Sequence, residues 1–308
     1  MKLRNLITGE IYSKILECMF NPLRLISNIK RFIRKGDYYL DNADICIVSF
    51  PKCGRTWLRV MLGRVLQKHY NYPVDMLLLP SKMLNLPEEI PKIYITHDDC
   101  PQWKKSNELE TSKLHYREKK VVLLVRDPRD AIVSLYFHKV KRAKLYNIFD
   151  KIYQFKRLSL MKPYKGDISE FISEEVGGID TFLRFYNIWF ENCQVPEKFL
   201  LMRYEDIFND GKKELSRILD FIGITSVKNE IIEDAVNYAC FENMQKMEKE
   251  NITGARKLLS PDVSDRDSYK VRRGKMGGFV DYLSKRDIEF MNWKINRDLA
   301  PFYGYKCD

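Results

Sequence analysis

The sequence contains no apolar run that approaches the roughly 18 residues of a membrane-spanning helix. Its first residues also lack the apolar stretch of roughly 7–15 residues that marks a secretory signal peptide. No internal repeat and no low-complexity segment is present. These absences argue against a membrane-spanning, secreted or repeat protein, and they predict a soluble protein of the cytoplasm.

Cysteines are sparse, with seven among 308 residues, and they form no C-x-x-C pair and no Cys/His cluster of zinc spacing. An odd count, with several cysteines in apolar runs, favours reduced and buried thiols over a disulfide framework. We therefore expect no zinc site. The seven residues are Cys18, Cys46, Cys53, Cys100, Cys193, Cys240 and Cys307.

Acidic residues are outnumbered, which leaves a net charge of +11. The excess is largest in residues 1–35, and residues 1–36 also repeat apolar side chains at helical spacing up to and beyond Pro22. We expect two short amphipathic helices there, whose apolar side packs on the protein's own core or lies on an anionic membrane surface. Residues 37–308 are long and apolar enough to form the remaining domain.

A strand, a tight loop and a helix follow one another near position 50. The β-branched run Ile45–Phe50 is typical of a buried parallel strand, and Pro51 ends it. Gly54 permits a tight turn, and residues 55–67 then show helical spacing. Free amide groups and the helix dipole make such a junction an anion site. In the P-loop of nucleoside triphosphatases, G-x-x-x-x-G-K-[ST], the lysine follows the second glycine and the next hydroxyl binds magnesium. Here Lys52 precedes the only glycine of the loop. We therefore expect an anionic nucleotide without a dedicated magnesium site.

Three further apolar runs are predicted strands, and helical patterns alternate with them, as in an α/β fold. Ligands of open α/β sheets bind beyond the carboxyl ends of the strands, so the residue after each strand is a candidate site residue. The strands with their following residues are 91–96 with His97, 120–125 with Arg126, and 198–202 with Arg203.

The remaining segments are predicted to be helices or irregular loops. The aromatic stripe of the helix at 179–193 is more typical of a core than of a sugar-stacking surface. Loops at 72–91, 139–165 and 250–270 are expected on the acceptor side, and 257–273 is expected to be a flexible flap. The other predicted helices are 106–119, 168–175, 212–223, 228–238 and 286–299, besides one that starts at Pro128.

Five segments, in order along the chain, resemble motifs of sulfotransferases that use 3′-phosphoadenosine-5′-phosphosulfate (PAPS). Residues 51–57, P-K-C-G-R-T-W, are similar to the 5′-phosphosulfate loop P-K-S-G-T-T-W. Residues 126–138 resemble the 3′-phosphate segment R-[ND]-P-[KR]-D-x-x-x-S-x-x-x-H, and residues 272–279 resemble R-K-G-x-x-G-D-W. Residues 201–206 and 239–244 match two further family segments, so the resemblance covers most of the chain.

The resemblance implies an α/β, P-loop-like three-layer fold with a central, mainly parallel sheet flanked by helices. It also implies transfer of a sulfuryl group from PAPS to an acceptor hydroxyl or amine, without a metal. His97 would be the general base, with the neighbouring Asp98 or Asp99 as the alternative. Lys52 would stabilise the leaving 3′,5′-bisphosphate, and Ser134 completes the implied catalytic set.

The resemblance also implies the residues that bind the cofactor. Arg126 and Ser134 would hold the 3′-phosphate, although a structural Arg–Asp network is an alternative for Arg126. Trp57 and Phe241 would sandwich the adenine, and Tyr204 would contact it. The whole set is Lys52, Cys53, Gly54, Arg55, Thr56, Trp57, Arg126, Ser134, Tyr204, Phe241, Arg272, Arg273 and Gly274.

The match departs from the family pattern at several positions. Arg55 replaces the first Thr of the loop and adds positive charge, and Cys53 replaces Ser, where we expect only a backbone contact. Ala239 and Cys240 replace a T-S pair, so their side chains lose two hydroxyls. The family's carboxyl-terminal dimerisation pattern is not recognisable, which leaves the oligomeric state open.

Two other functions remain alternatives: a P-loop kinase-type phosphotransferase, and a non-catalytic protein that binds nucleotides or polyanions. The acceptor is a small molecule, a glycan or a lipid, and residues 1–35 offer a possible peripheral membrane contact. No nucleic acid partner is predicted.

Overall fold

A computed structural model describes most of the chain and places the predicted site within it. The predicted helices at 1–36 lie outside the described residues, as do most of the predicted loops 72–91 and 139–165. The described ranges are 38–71, 87–142, 163–250, 260 and 262–305.

Four short strands form one sheet: β1 (Ile45–Val48), β2 (Ile93–Thr96), β3 (Lys120–Val125) and β4 (Lys198–Arg203). Their order is β2-β1-β3-β4, and each neighbouring pair is parallel. Every residue of β1 is buried, as is every residue of β3 after Lys120. Central strands that are apolar on both faces must be covered on both faces, so the predicted α/β fold with a parallel sheet between helices is confirmed.

The helices pack in two groups. Helix α1 packs against α7, and Arg64 and Asp234 join the two by an ion pair of 2.5 Å; α7 also packs against α6. Helix α4 packs against α2 and α9. The helices are α1 (Arg55–His69), α2 (Pro128–Lys141), α3 (Ile168–Ile172), α4 (Ile179–Glu191), α5 (Tyr204–Asn209), α6 (Gly211–Ile222), α7 (Asn229–Tyr238), α8 (Phe241–Lys249) and α9 (Lys285–Asp298).

Local signals in the sequence set several helix ends. Pro128 occupies the first turn of α2, and the Asp127 side chain caps the helix by accepting from the amide of Arg129. Gly223 ends α6 in the left-handed conformation, at a φ of 84°. The aromatic stripe of α4 is core, since only Phe190 among its aromatic residues is exposed.

The predicted helix at 106–119 is wrong. The segment forms two short 3-10 turns, Ser106–Glu108 and Leu114–Tyr116, instead of an α-helix. Lys113 and Tyr116 are buried and both bind the carboxylate of Asp98, at 2.8 and 3.0 Å. These tertiary contacts outweigh the weak helical preference of a polar segment.

No helix in the described ranges is both long enough and apolar enough to span a bilayer.

Candidate active site

One cavity of about 490 Å³ opens at the carboxyl ends of the four strands. The segment after each strand contributes to its wall: Lys52 lies in the loop after β1, and the residues directly after β2, β3 and β4 are His97, Arg126 and Tyr204. Topology therefore brings together residues that lie as much as 152 positions apart in the sequence. The predicted residues in the lining are Lys52, Gly54, Arg55, Thr56, Trp57, His97, Arg126, Ser134, Tyr204, Phe241, Arg272, Arg273 and Gly274.

The loop between β1 and α1 adopts costly backbone conformations. Lys52 has a φ of 76° and Gly54 a φ of 92°, both in the left-handed region that non-glycine residues avoid. A Cβ atom on Gly54 would lie 2.6 Å from the Tyr204 ring, so glycine is required there for space as well. The first three residues of α1 line the cavity, and no acidic side chain occupies that first turn.

The pKa of Lys52 is strongly lowered by its surroundings. Burial among protein atoms and the nearby charges of Arg142, Arg272 and Arg126 lower its pKa to about 7, against the opposing pull of Glu248. A lysine pKa that neighbouring cations lower indicates an excess of positive charge in the site. Such a site favours a ligand with several negative charges.

His97 is held in one tautomer by two contacts. Its Nε2 lies 2.5 Å from Nη2 of Arg55, and its Nδ1 lies 2.9 Å from the backbone oxygen of Ser49. A guanidinium can only donate, so Nε2 accepts and Nδ1 carries the proton that it donates to Ser49. The basic nitrogen of a neutral imidazole therefore faces the cavity, which is the protonation state that a general base needs.

The alternative bases, Asp98 and Asp99, do not line the cavity. Asp98 is buried against Lys113, and Asp99 forms an ion pair with Lys104. Burial alone would raise the pKa of Asp98, but His115 and Lys113 hold it below its ordinary value. Both aspartates have left-handed backbones, with φ values of 45° and 51°, so these ion pairs fix the strained turn that follows His97.

Arg126 lies in a position that is compatible with both of the roles predicted for it. It lines the cavity, and it also forms an ion pair with Asp130 at 3.6 Å and lies 4.2 Å above the Tyr204 ring. Its Nε is buried and has no hydrogen-bond partner among the described residues. A buried guanidinium with an unsatisfied donor fits an anionic ligand such as a phosphate.

Cys53 is the one predicted site residue outside the lining. Its thiol is fully buried and lies 3.4 Å from the Tyr186 hydroxyl, so any contact with a ligand would come from the backbone, as expected. That hydroxyl also accepts from the amide of Arg126 at 2.8 Å and donates to its carbonyl at 3.0 Å. Tyr186 thus joins the loop after β1 to the loop after β3.

Aromatic rings form part of the cavity wall. Trp57 contacts Tyr204 with ring centroids 5.3 Å apart. Phe241 begins α8 and packs on Gly274, where a Cβ atom would lie 2.4 Å from the ring. Trp57, Tyr204 and Phe241 therefore supply flat apolar surfaces around one space, which suits a purine.

Arg272 and Arg273 bring charge from the carboxyl-terminal part of the chain. Arg272 lies 4.1 Å above the Phe137 ring and pairs with Asp267 at 3.5 Å, and Arg273 pairs with Asp281 at 3.2 Å. Aromatic faces and carboxylates hold both guanidinium groups at the cavity wall.

Four basic residues of the lining were not among the predicted site residues: His138, Arg142, Lys270 and Lys275. His138 on α2 and Arg142 directly after its last residue follow Ser134 at intervals of four, so all three lie on one side of the helix and line the cavity. That spacing could have identified them. Lys270 also lines the cavity, and no sequence signal marks it. Burial first, and then the charge of Lys52, hold the pKa values of His138 and Lys270 well below their ordinary values.

Comparison with known proteins agrees with this geometry. A family model described as "Sulfotransferase domain" matches residues 42–301. The chain belongs to the sulfotransferase family. The prediction of a sulfotransferase-family enzyme is thereby confirmed.

Relatives of this sulfotransferase are distant in sequence. Cytosolic sulfotransferase 14 of Arabidopsis thaliana is 23% identical over 287 residues, which cover 83% of this chain and 75% of the relative. Flavonol 3-sulfotransferase of Flaveria bidentis is 24% identical over 278 residues, which cover 83% of this chain and 82% of the relative. The crystal structure of a mouse sulfotransferase complexed with PAP matches with a TM-score of 0.51 at 20% identity, covering 83% of this chain and 84% of the other. That structural likeness shows a shared fold.

Proposed function

We propose that this sulfotransferase transfers the sulfuryl group of PAPS to a hydroxyl group of a small molecule. The observation that carries the proposal is the convergence of Lys52, His97 and Arg126 on one cavity. PAP is the 3′,5′-bisphosphate that remains when PAPS has lost its sulfuryl group. The PAP complex of the mouse structure therefore supports PAPS as the cofactor. So do the basic lining and the unsatisfied Nε of Arg126, which suit a nucleotide with phosphates at two positions.

Each cavity residue has a defined task in the proposed reaction. PAPS supplies a sulfuryl group bonded to a stable leaving group. The Nε2 of His97 takes the proton from the acceptor hydroxyl, since Nδ1 already carries its own. Lys52 stabilises negative charge that develops on the departing bridging oxygen, an interaction that strengthens in the transition state. Ser134, one turn beyond Asp130 on α2, would hold the 3′-phosphate together with Arg126.

The acceptor is proposed from the relatives. The name of the Flaveria bidentis enzyme specifies a flavonol, a small planar molecule with hydroxyl groups. A small hydroxylated acceptor fits a cavity of about 490 Å³ that must also hold the nucleotide. Amine, glycan and lipid acceptors remain predictions from the sequence, as does a membrane contact through residues 1–35. A cytoplasmic location is supported by the similarity to cytosolic sulfotransferase 14 of Arabidopsis thaliana.

Transfer of label from ³⁵S-PAPS to a panel of phenols, flavonols, sterols and amines tests this proposal. His97→Ala is expected to lower the rate by roughly 10²–10⁴-fold, the usual effect of losing a general base. His69→Ala is the matched control, because His69 ends α1 outside the cavity and the variant should retain the rate. Equal rates in the two variants would contradict the role of His97. Transfer of label from γ-³²P-ATP instead would indicate a kinase.

A further inference from the structure

Arg55 occupies a position where a cation does not stabilise the fold. It is the first residue of α1, and a positive side chain there opposes the positive end of the helix dipole. Within the described residues it forms no ion pair with a carboxylate. The ionisable groups that act most strongly on it are Arg59, Cys100, Tyr94 and Cys53.

The guanidinium of Arg55 instead hydrogen-bonds Nε2 of His97, at 2.5 Å. This is the nitrogen that the proposed reaction requires as a base. While Arg55 donates to it, the lone pair is engaged and cannot accept a proton from an acceptor hydroxyl. The contact therefore fixes His97 in the correct tautomer and blocks it at the same time.

We propose, on the basis of the proposed function, that Arg55 is a positioning residue that couples the base to cofactor binding. In the free enzyme Arg55 holds Nε2 of His97. When the 5′-phosphosulfate binds at the amino terminus of α1, the guanidinium turns to that anion and releases Nε2. A charged acceptor of hydrogen bonds competes strongly with a neutral ring nitrogen for a cationic donor.

The proton balance of the reaction agrees with this exchange. The acceptor O–H bond breaks and an N–H bond forms at Nε2 of His97. The acceptor oxygen bonds to sulfur, and the bond from sulfur to the bridging oxygen breaks with its electron pair on the leaving bisphosphate. His97 then carries protons on both nitrogens and cannot accept from Arg55. Arg55 returns to Nε2 only after that proton is lost, so its return completes the cycle.

The test is side-chain ¹⁵N NMR of His97, because the Nε2 resonance reports whether the lone pair accepts a hydrogen bond. Addition of PAP to the wild-type protein should move the Nε2 signal toward the position of an unbonded ring nitrogen. In Arg55→Thr the signal should already lie there and should not move with PAP. Threonine is the residue of the family motif at this position, so the loop should tolerate it.

Affinity for PAP, measured by calorimetry on the same samples, separates the possible outcomes. Arg55→Thr should bind PAP roughly tenfold to a hundredfold more weakly, the usual effect of losing a hydrogen bond to a charged group. Arg64→Thr, on the same helix but outside the cavity, should match the wild type.

Two results would overturn the inference. If PAP binds the wild type and the Nε2 signal does not move, Arg55 does not control His97, and the proposed function still stands. If PAP does not bind the wild type, the proposed function fails and the inference fails with it. The wild-type titration decides between these results even if Arg55→Thr does not fold.

Discussion

Both the backbone conformation and the side-chain environment of Lys52 are unfavourable. The backbone is left-handed without a glycine, and the side chain is placed where burial and neighbouring cations lower its pKa to about 7. Strain of both kinds persists only where surrounding structure enforces it, and such residues cluster at functional sites. We therefore expect Lys52 to bind a ligand whose negative charge removes the electrostatic cost.

PAP binding should be accompanied by proton uptake at Lys52. Below pH 7 the residue is protonated with and without ligand, so its contribution to affinity is constant. Above pH 7 the free protein loses this proton, whereas the anionic ligand raises the pKa and retains it. Affinity should therefore fall by up to about tenfold per pH unit above pH 7.

Calorimetry at pH 8 in buffers of different ionisation enthalpy measures this uptake directly. The wild type should take up close to one proton, and Lys52→Met should lose that uptake. Equal uptake in the two proteins would assign the proton to another group and contradict the role of Lys52.

Gly54→Ala should damage the site as well as the fold. A methyl group there adds strain at a φ of 92° and lies 2.6 Å from the Tyr204 ring. Gly223→Ala is a matched control, because Gly223 has a φ of 84° with no atom within 4 Å of the added methyl. Both variants should lose roughly 1–2 kcal/mol of unfolding free energy from backbone strain.

Only Gly54→Ala should also weaken PAP binding, because it displaces Tyr204. Thermal unfolding and PAP titration of both variants measure the two effects. Unchanged PAP affinity in Gly54→Ala would show that the contact with Tyr204 does not shape the site.

At the scale of elements, the end of helix α2 is connected to residues 268–271, which lead into the part of the cavity wall formed by residues 270–275. Arg142, just after α2, pairs with Glu248 at 2.8 Å, and both side chains are almost fully buried. Arg142 also donates to the carbonyl of Ser268, and Glu248 accepts from the amides of Lys270 and Val271. One ion pair thus joins the end of α2, α8 and the irregular segment 268–271 that precedes Arg272.

Glu248→Ala should therefore be strongly destabilising. It leaves the Arg142 charge buried without its partner, which costs about 3–5 kcal/mol. Glu233→Ala is the control, since its pair with Lys212 is exposed and should contribute about 1 kcal/mol or less. Urea unfolding measures both free energies. Similar losses in the two variants would mean that the buried pair does not hold these elements together.

Elements with strong local patterns were predictable from the sequence. Strand β3, with five consecutive apolar residues after Lys120, was predicted with the observed bounds. The segment 106–119 was not, because its conformation depends on Asp98, a residue distant in sequence whose burial the local pattern does not reveal. Lys270 was missed for the same reason: its place in the cavity depends on contacts of the neighbouring backbone with Glu248.

At the scale of the whole molecule, the parallel sheet assembles the site. The parallel strands bring the matched motifs to the carboxyl edge of the sheet. Thirteen of the fourteen predicted site residues therefore line one cavity. Their roles remain predictions. The acceptor was not predictable, because the residues expected to select it belong to loops, whose sequence does not translate into the shape of a ligand. Residues 72–86 and 143–162, within those loops, lie outside the described residues.

A thermal-shift titration with PAP, AMP and ATP tests whether the cavity binds a 3′-phosphorylated nucleotide. At a hundredfold excess over Kd, PAP should stabilise the protein by about 2.7 kcal/mol and raise the Tm by several degrees. AMP and ATP, which lack the 3′-phosphate, should shift it much less. Arg126→Ala should lose the PAP shift, and Arg217→Ala, outside the cavity, should retain it. Equal shifts with PAP and AMP, or no shift with PAP, would contradict a site built for a 3′-phosphorylated nucleotide.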